Sequence, residues 1–313
     1  MVQTLASLFK ADLHCHSRYS GYAKHLKFLN ARDCYSRPLE VYRRAKARGM
    51  DLVTITDHDS IDGCLELLNR LGELPDFMIG EEVTTYLPEF KHSIHIGVYG
   101  HNEAHHREIQ KLRSNGAELV EYMRQNNLLH VLNHFFHDFS SLGRVRDFVE
   151  RMAEWFDVFE VRNGTVQREH NLLILRLLQR YRRQGRPASM VAGSDAHTLR
   201  RIGRSFTASP ASNREEFLQD IRAGRTQVFG PHSNHLSLAA DIYGVVLRYY
   251  PAVLSVNNAE FPPAVRVQKF FLSLAIAPFL FTPYVAAVHH NIQERQRVGR
   301  FARYFFGNPE AAV

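Results

Sequence analysis

Residues 190–197 read Met190-Val191-Ala192-Gly193-Ser194-Asp195-Ala196-His197, an apolar run that ends in two metal-ligand side chains. The same pattern occurs three more times. Lys10-Ala11-Asp12-Leu13 ends in His14-Cys15-His16, and Leu52-Val53-Thr54-Ile55-Thr56 ends in Asp57-His58-Asp59. Leu128-Leu129-His130-Val131-Leu132-Asn133 ends in His134. One such run says little. Four in one chain, with Gly80-Glu81-Glu82-Val83 among them, predict imidazoles and carboxylates gathered at the mouth of a barrel, because functional groups of such barrels sit at strand C-terminal ends.

Up to about residue 230, short apolar runs alternate with helical patterns. Strands are predicted at 10–14, 52–56, 77–83, 93–98, 129–133, 157–161 and 189–193. Residues 39–48 follow Pro38 and stop before Gly49, which suits a helix. Further helical patterns cover 103–126, 167–184 and 213–223, the last with Asn213 as N-cap and Glu216 three residues on. Repeated strand–helix alternation predicts an α/β protein with a parallel sheet closed into a barrel. The predicted boundaries are 1–230 for the barrel and 231–313 for an apolar, helical C-terminal extension.

The chain has 313 residues, enough for one such barrel. Its net charge of +7 favours an acidic partner such as phosphate, nucleic acid or anionic lipid, or else reflects surplus surface arginine. Cys15, Cys34 and Cys64 have no CxxC spacing, which argues against a disulfide framework and for a cytoplasmic protein. Met1–Phe9 lacks the pattern of a signal peptide.

Residues 270–288 carry no charge and precede Arg295, Arg297, Arg300 and Arg303. As one helix they would span about 28 Å, close to a bilayer's apolar thickness. Pro278 and Pro283 interrupt that helix. Two expectations stand: 270–303 contacts a membrane, or the segment docks on the barrel, where Leu236–Tyr250 offers an apolar surface.

Side chains alternate along a strand, so His14 and His16 face one side, with Asp12 placed to orient one of them. His58 is the candidate ligand of its motif. Asp57 and Asp59 orient it or cap the helix that follows. Of Glu81 and Glu82 only one can face the mouth, where it could bridge two metals, and the other is expected in solvent. His95 is the candidate of its crowded region, with His105 and His106 expected to be exposed. His134 precedes His137, expected to be structural, and Asp195 and His197 share i, i+2 spacing on a turn where Gly193 allows close backbone approach. The candidates are therefore His14, His16, His58, Glu82, His95, His134, Asp195 and His197. This set suits Zn, Mn or Fe rather than Mg or Ca and exceeds one tetrahedral ion, so two or three divalent transition metals are expected. Close metals can share a hydroxide, here held by Glu82 and Asp195, and clamp a phosphoryl group. Arg18, Arg201 and Arg204 lie near the motifs and could grip phosphate.

The chain resembles the PHP (polymerase and histidinol phosphatase) family. The matching pieces are Asp12-Leu13-His14-Cys15-His16-Ser17, Thr56-Asp57-His58-Asp59, Gly80-Glu81-Glu82, Asn133-His134 and Gly193-Ser194-Asp195-Ala196-His197, in the family's order. The resemblance implies a distorted TIM-like (β/α)7 barrel with a di- or trinuclear metal cleft. It implies His14, His16, Glu82 and Asp195 on a first metal, Glu82 with His95 and His134 on a second, and His58 and His197 on a third. Asn163, in Glu160-Val161-Arg162-Asn163-Gly164, would lie behind the ligands. Where the family often has Asp, this chain has Gly21, so the third site is weakened or borrows a group such as His25. The implied activity is metal-dependent hydrolysis of a phosphomonoester or of a nucleotide or oligonucleotide phosphodiester. The alternatives are an inactive barrel serving as a binding module and a membrane-tethered phosphatase acting on a lipid or envelope phosphate.

Overall fold

The structure is a computed structural model that describes residues 7–23, 31–254, 263–276 and 281–307. The described strands are β1 (Phe9–Asp12), β2 (Leu52–Ile55), β3 (Phe77–Leu87), β4 (His92–Tyr99), β5 (Leu129–Leu132), β6 (Val158–Asn163), β7 (Ser189–Gly193), β8 (Phe206–Ser209) and β9 (Gln227–Phe229). The described helices are α1 (Pro38–Ala47), α2 (Asp62–Leu71), α3 (Glu103–Leu112), α4 (Gly116–Gln125), α5 (Val145–Trp155), α6 (Arg168–Arg183), α7 (Arg214–Arg222), α8 (His235–Leu254), α9 (Pro263–Ile276) and α10 (Thr282–Phe306).

The strands form one sheet in the order β7-β6-β5-β4-β3-β2-β1-β8-β9. It curls until end strand β7 comes against β8: Ala192 N of β7 donates to Thr207 Oγ1 of β8 at 2.8 Å, and that hydroxyl donates to Ala192 O at 3.0 Å. The predicted seven strands are all present. The expectation of a parallel sheet needs correcting. β4 runs antiparallel to both β3 and β5, and β8 antiparallel to β1 and β9. Only Pro88–Lys91 joins β3 to β4, too short a link for the crossover that a parallel pair requires. The sequence reading also omitted β8 and β9. The single helical pattern at 103–126 divides into α3 and α4, because Asn115 turns its side chain back to accept from Glu118 N and starts a new helix.

Ala11, Leu52, Met78, Val131, Val158 and Val191 come from six different strands yet form one buried cluster, which places it inside the curled sheet. Phe217 and Ile221 of α7 join them. A larger aromatic core lies between the sheet and α4–α6, and α10 enters it. Phe301 of α10 is 1% exposed, with its ring 5.3 Å from that of Phe136 and 6.0 Å from that of Phe139. Buried Glu294 of α10 lies 2.6 Å from His170 Nδ1 and accepts from Gln167 Nε2 at 3.1 Å. The extension's last helix is thus packed on the barrel. The run 270–288 is not one helix: α9 ends at Ile276, α10 starts at Thr282, and Pro278 lies outside the described residues. Among the described residues no helix is long and apolar enough to cross a membrane.

Candidate metal centre

Glu82 is the hub of the barrel mouth. It is fully buried on β3, and β2 brings His58 into register beside it. Its Oε1 lies 3.2 Å from His14 Nε2, 3.4 Å from His95 Nδ1 and 3.0 Å from His134 Nε2. Its Oε2 lies 3.6 Å from His16 Nε2 and 3.0 Å from His58 Nδ1. Asp195 Oδ1 completes the group, 3.6 Å from His14, 3.3 Å from His16 and 3.7 Å from His197. All eight ligand candidates read from the sequence therefore converge. Their donor atoms fall into close trios: His14, His16 and Glu82; His58, Glu82 and His95; His14, His134 and Asp195; and His16, His58 and His197.

The backbone is bent to bring them there. His134 has φ 26° and Asp195 φ 49°, left-handed values that cost a non-glycine residue energy and gather at functional sites. Gly193 serves a different end from the one expected. A Cβ on it would lie 2.2 Å from His14 Cβ, so its bareness lets β7 pass against His14 itself. Asp195 N then donates to His14 O at 2.6 Å.

Outer partners fix the rings. Glu160 Oε1 holds His14 Nδ1 at 2.9 Å, while Glu160 Oε2 accepts from His134 N and from Asn163 Nδ2. Asn163 also donates to Asp195 at 3.1 Å. Ser20 Oγ lies 2.8 Å from His16 Nδ1 and donates to Asp57, so Asp57 acts on His16 rather than on His58. Asp12 does not touch an imidazole. It accepts from the backbone N–H groups of His14, Ser194 and Gly203 and clamps the two ligand loops together. Asp59 does not cap α2. Its carboxylate accepts from Thr84 N and Arg113.

Asp33 and Glu160 were missed. Asp33 Oδ2 lies 2.9 Å from His197 Nε2 and 3.5 Å from His58 Nε2. It stands where the chain lacks a carboxylate at Gly21, whose carbonyl accepts from Asp33 N at 3.1 Å. His25, the other group considered for that site, lies outside the described residues. Glu81, expected in solvent, is fully buried against His101 and His106. His106 is accordingly not free in solvent, and His105 lies 3.0 Å from Tyr122 OH.

The arginines divide. Arg201 is 5% exposed and spends its guanidinium on Asp241 of α8, Gly164 O and Ser233 Oγ. That makes it a tie to the extension rather than a grip on substrate. Arg18 pairs with Glu66 at 2.6 Å, and Arg204 is exposed.

A match to the PHP-associated family covers residues 169–226. Over 77 residues the chain is 39% identical to an uncharacterized protein of Methanocaldococcus jannaschii; the stretch is 24% of this chain and 44% of that relative, so the chain spans less than half its length. The fold resembles that of a two-domain protein of Bacteroides vulgatus containing a predicted PHP-like metal-dependent phosphoesterase, at TM-score 0.50 and 15% identity over 78% of this chain and 72% of the other. These matches show a PHP-like fold and a PHP-associated segment in the second half of the barrel. The fold likewise resembles that of PsfC from Pseudomonas syringae, at TM-score 0.50 and 18% identity over 77% of this chain and 98% of the other.

The mouth of the barrel fits divalent metals. His14 Nε2, His16 Nε2, His58 Nδ1, His95 Nδ1 and Glu82 Oε2 are buried and make no hydrogen bond, a costly arrangement unless a cation takes their lone pairs. Burial, reinforced by neighbouring His197, pushes His16 down to about 3. Burial also pushes His95 down to about 4, against the pull of Glu82. Both rings are thus neutral and free to ligate. Burial would raise Glu82, but His14, His95 and His58 outweigh it and hold the carboxyl well below its ordinary range.

His58 and His197 behave oppositely in the ion-free protein. Burial would lower both, yet Glu82 and Asp33 raise His58 to about 10, and Asp33 and Asp195 raise His197 to about 9. Protons there take the place of metal charge. Because both pKa values rise above 6.5 on folding, their stabilisation is fully present below about pH 6.5 and is lost as pH climbs through 9–10. Chelated protein is therefore expected to melt at progressively lower temperature from pH 6.5 to 10. Metal-loaded protein should show a much flatter profile. Parallel profiles for the two forms would contradict the assignment of these groups.

Proposed function

We propose that the chain is a metal-dependent phosphoesterase, acting on a phosphomonoester or on a nucleotide or oligonucleotide phosphodiester. The observation that carries this reading is the convergence of six imidazoles, Glu82 and Asp195 at the barrel mouth, where His14 Nε2, His16 Nε2, His58 Nδ1, His95 Nδ1 and Glu82 Oε2 have no hydrogen-bond partner. Divalent ions held there, Zn, Mn or Fe by donor type, supply Lewis-acid polarisation of a phosphoryl oxygen and an acidified water. Glu82 presents its two oxygens to different histidines and so can hold two cations at once. Asp195 faces His14, His16 and His197, and Asn163 and Thr165 keep its second oxygen occupied. Glu160 keeps His14 turned so that Nε2, not Nδ1, faces the mouth. Asp33 adds charge at the His58–His197 side, where these residues would hold a third ion. The neighbour from Bacteroides vulgatus, described as containing a predicted PHP-like metal-dependent phosphoesterase, supports this reading.

Arg201 is committed elsewhere, so phosphate recognition falls to other cations. Arg297 of α10 reaches to 3.7 Å from Asp138, in the loop that follows His134, and its side chain is 12% exposed. A net charge of +7 favours an anionic substrate throughout. The test is a screen of phosphomonoesters against short oligonucleotides with Mn²⁺ added. One class is expected to be hydrolysed, and chelation should abolish the activity. Fully metal-loaded protein that cleaves neither class would refute the proposal.

A further inference from the structure

Glu81 neighbours Glu82 on β3, and alternation turns its side chain to the opposite face of the sheet. It is fully buried there. Its Oε1 lies 3.0 Å from Nε2 of His101, a buried residue just beyond β4. Its Oε2 lies 2.8 Å from Nδ1 of His106 on α3 and accepts from Gln110 Nε2 at 3.1 Å. One ligand atom from each of Glu81, His101 and His106 lies within 4.8 Å of the others. Glu81 Oε1 and both ring nitrogens of His101 are buried without a hydrogen-bond partner.

We propose that Glu81, His101 and His106 bind one divalent transition metal, Zn²⁺ by donor class, on the outer side of the barrel wall and apart from the mouth. Two imidazoles and one carboxylate form a common three-ligand set for zinc, with water as the fourth ligand. The site has a route to solvent, since the His106 side chain is 20% exposed. It also has a structural reason. Ile109 is the buried residue of α3, so the apolar attachment of that helix is slight. An ion shared by β3, α3 and the residue after β4 would pin the helix to the strand that carries Glu82.

The test compares zinc uptake by chelated, full-length wild type with that of His106→Gln and of the double variant His101→Ala/His106→Ala. Wild type is expected to take up one zinc ion per chain more than either variant, and its melting temperature should rise further on adding zinc. The single change sits at a partly exposed position and decides the matter if the double variant fails to fold. Equal uptake by wild type and folded His106→Gln would overturn the proposal. Zinc-edge anomalous diffraction from wild-type crystals grown with zinc gives an independent reading. A peak bounded by Glu81, His101 and His106 supports the site. A map without that peak rejects it, whatever the mouth contains.

Discussion

A chain carrying His14→Ala and His16→Ala is expected to lose metal from the barrel mouth and to lose hydrolytic activity with it. Both rings are buried, at 1% and 0% exposure, and both face Glu82 and Asp195. Each of the two carboxylates touches both rings, so the double change strips neighbours from both at once. Changing a mere outer partner of a ligand costs roughly 10–100-fold in metal affinity or activity. Removing two ligands should exceed that. Metal analysis should show at least one ion fewer per chain than wild type, in protein whose circular dichroism still reports a fold. An unchanged count would count decisively against the ligand assignment.

The second large effect concerns the extension. Phe301→Ala removes a fully buried ring packed against Phe136 and Phe139. Such a change costs about 3–5 kcal/mol. Total domain stability is typically about 5–15 kcal/mol, so the loss is a large share of it. Truncation at Pro263 removes Val298, Phe301 and Ala302 together and also strands buried His170 without Glu294. The expected result is a destabilised, aggregating barrel. A truncated chain with unchanged melting temperature and full activity would show that α10 contributes no stability.

Most of the ligands were legible because they end contiguous apolar runs, with His95 instead inside the apolar run Ile94–Val98, and i, i+2 spacing puts a pair such as His14 and His16 on one side of the chain. Glu160 carried a weaker signal, an acid inside the apolar run Val158–Val161, and only the closed sheet shows that it backs His14. Asp33 had no local signal. It arrives because the chain turns back on itself, with Ala23 N donating to Ala31 O and Asp33 N to Gly21 O. Gly21, with φ 79°, suits that turn, and an aspartate there would be strained. The missing carboxylate is thus supplied from elsewhere in the loop. Glu81 was misplaced because alternation says which face a side chain takes but not what covers that face, and α3 covers this one. The antiparallel β4 escaped notice because the length of the link, not the apolar pattern, sets strand direction. The arginines were judged by nearness in sequence, which does not reveal that Asp241 waits for Arg201 on α8.

The central claim is that Glu82 organises a metal centre at the barrel mouth. Anomalous diffraction at the edges of zinc, manganese and iron, on wild-type crystals grown with those metals, tests it most directly. Two or more peaks should lie within bonding distance of the mouth ligands, at least one of them against Glu82. A map with no peak beside Glu82 would contradict the account.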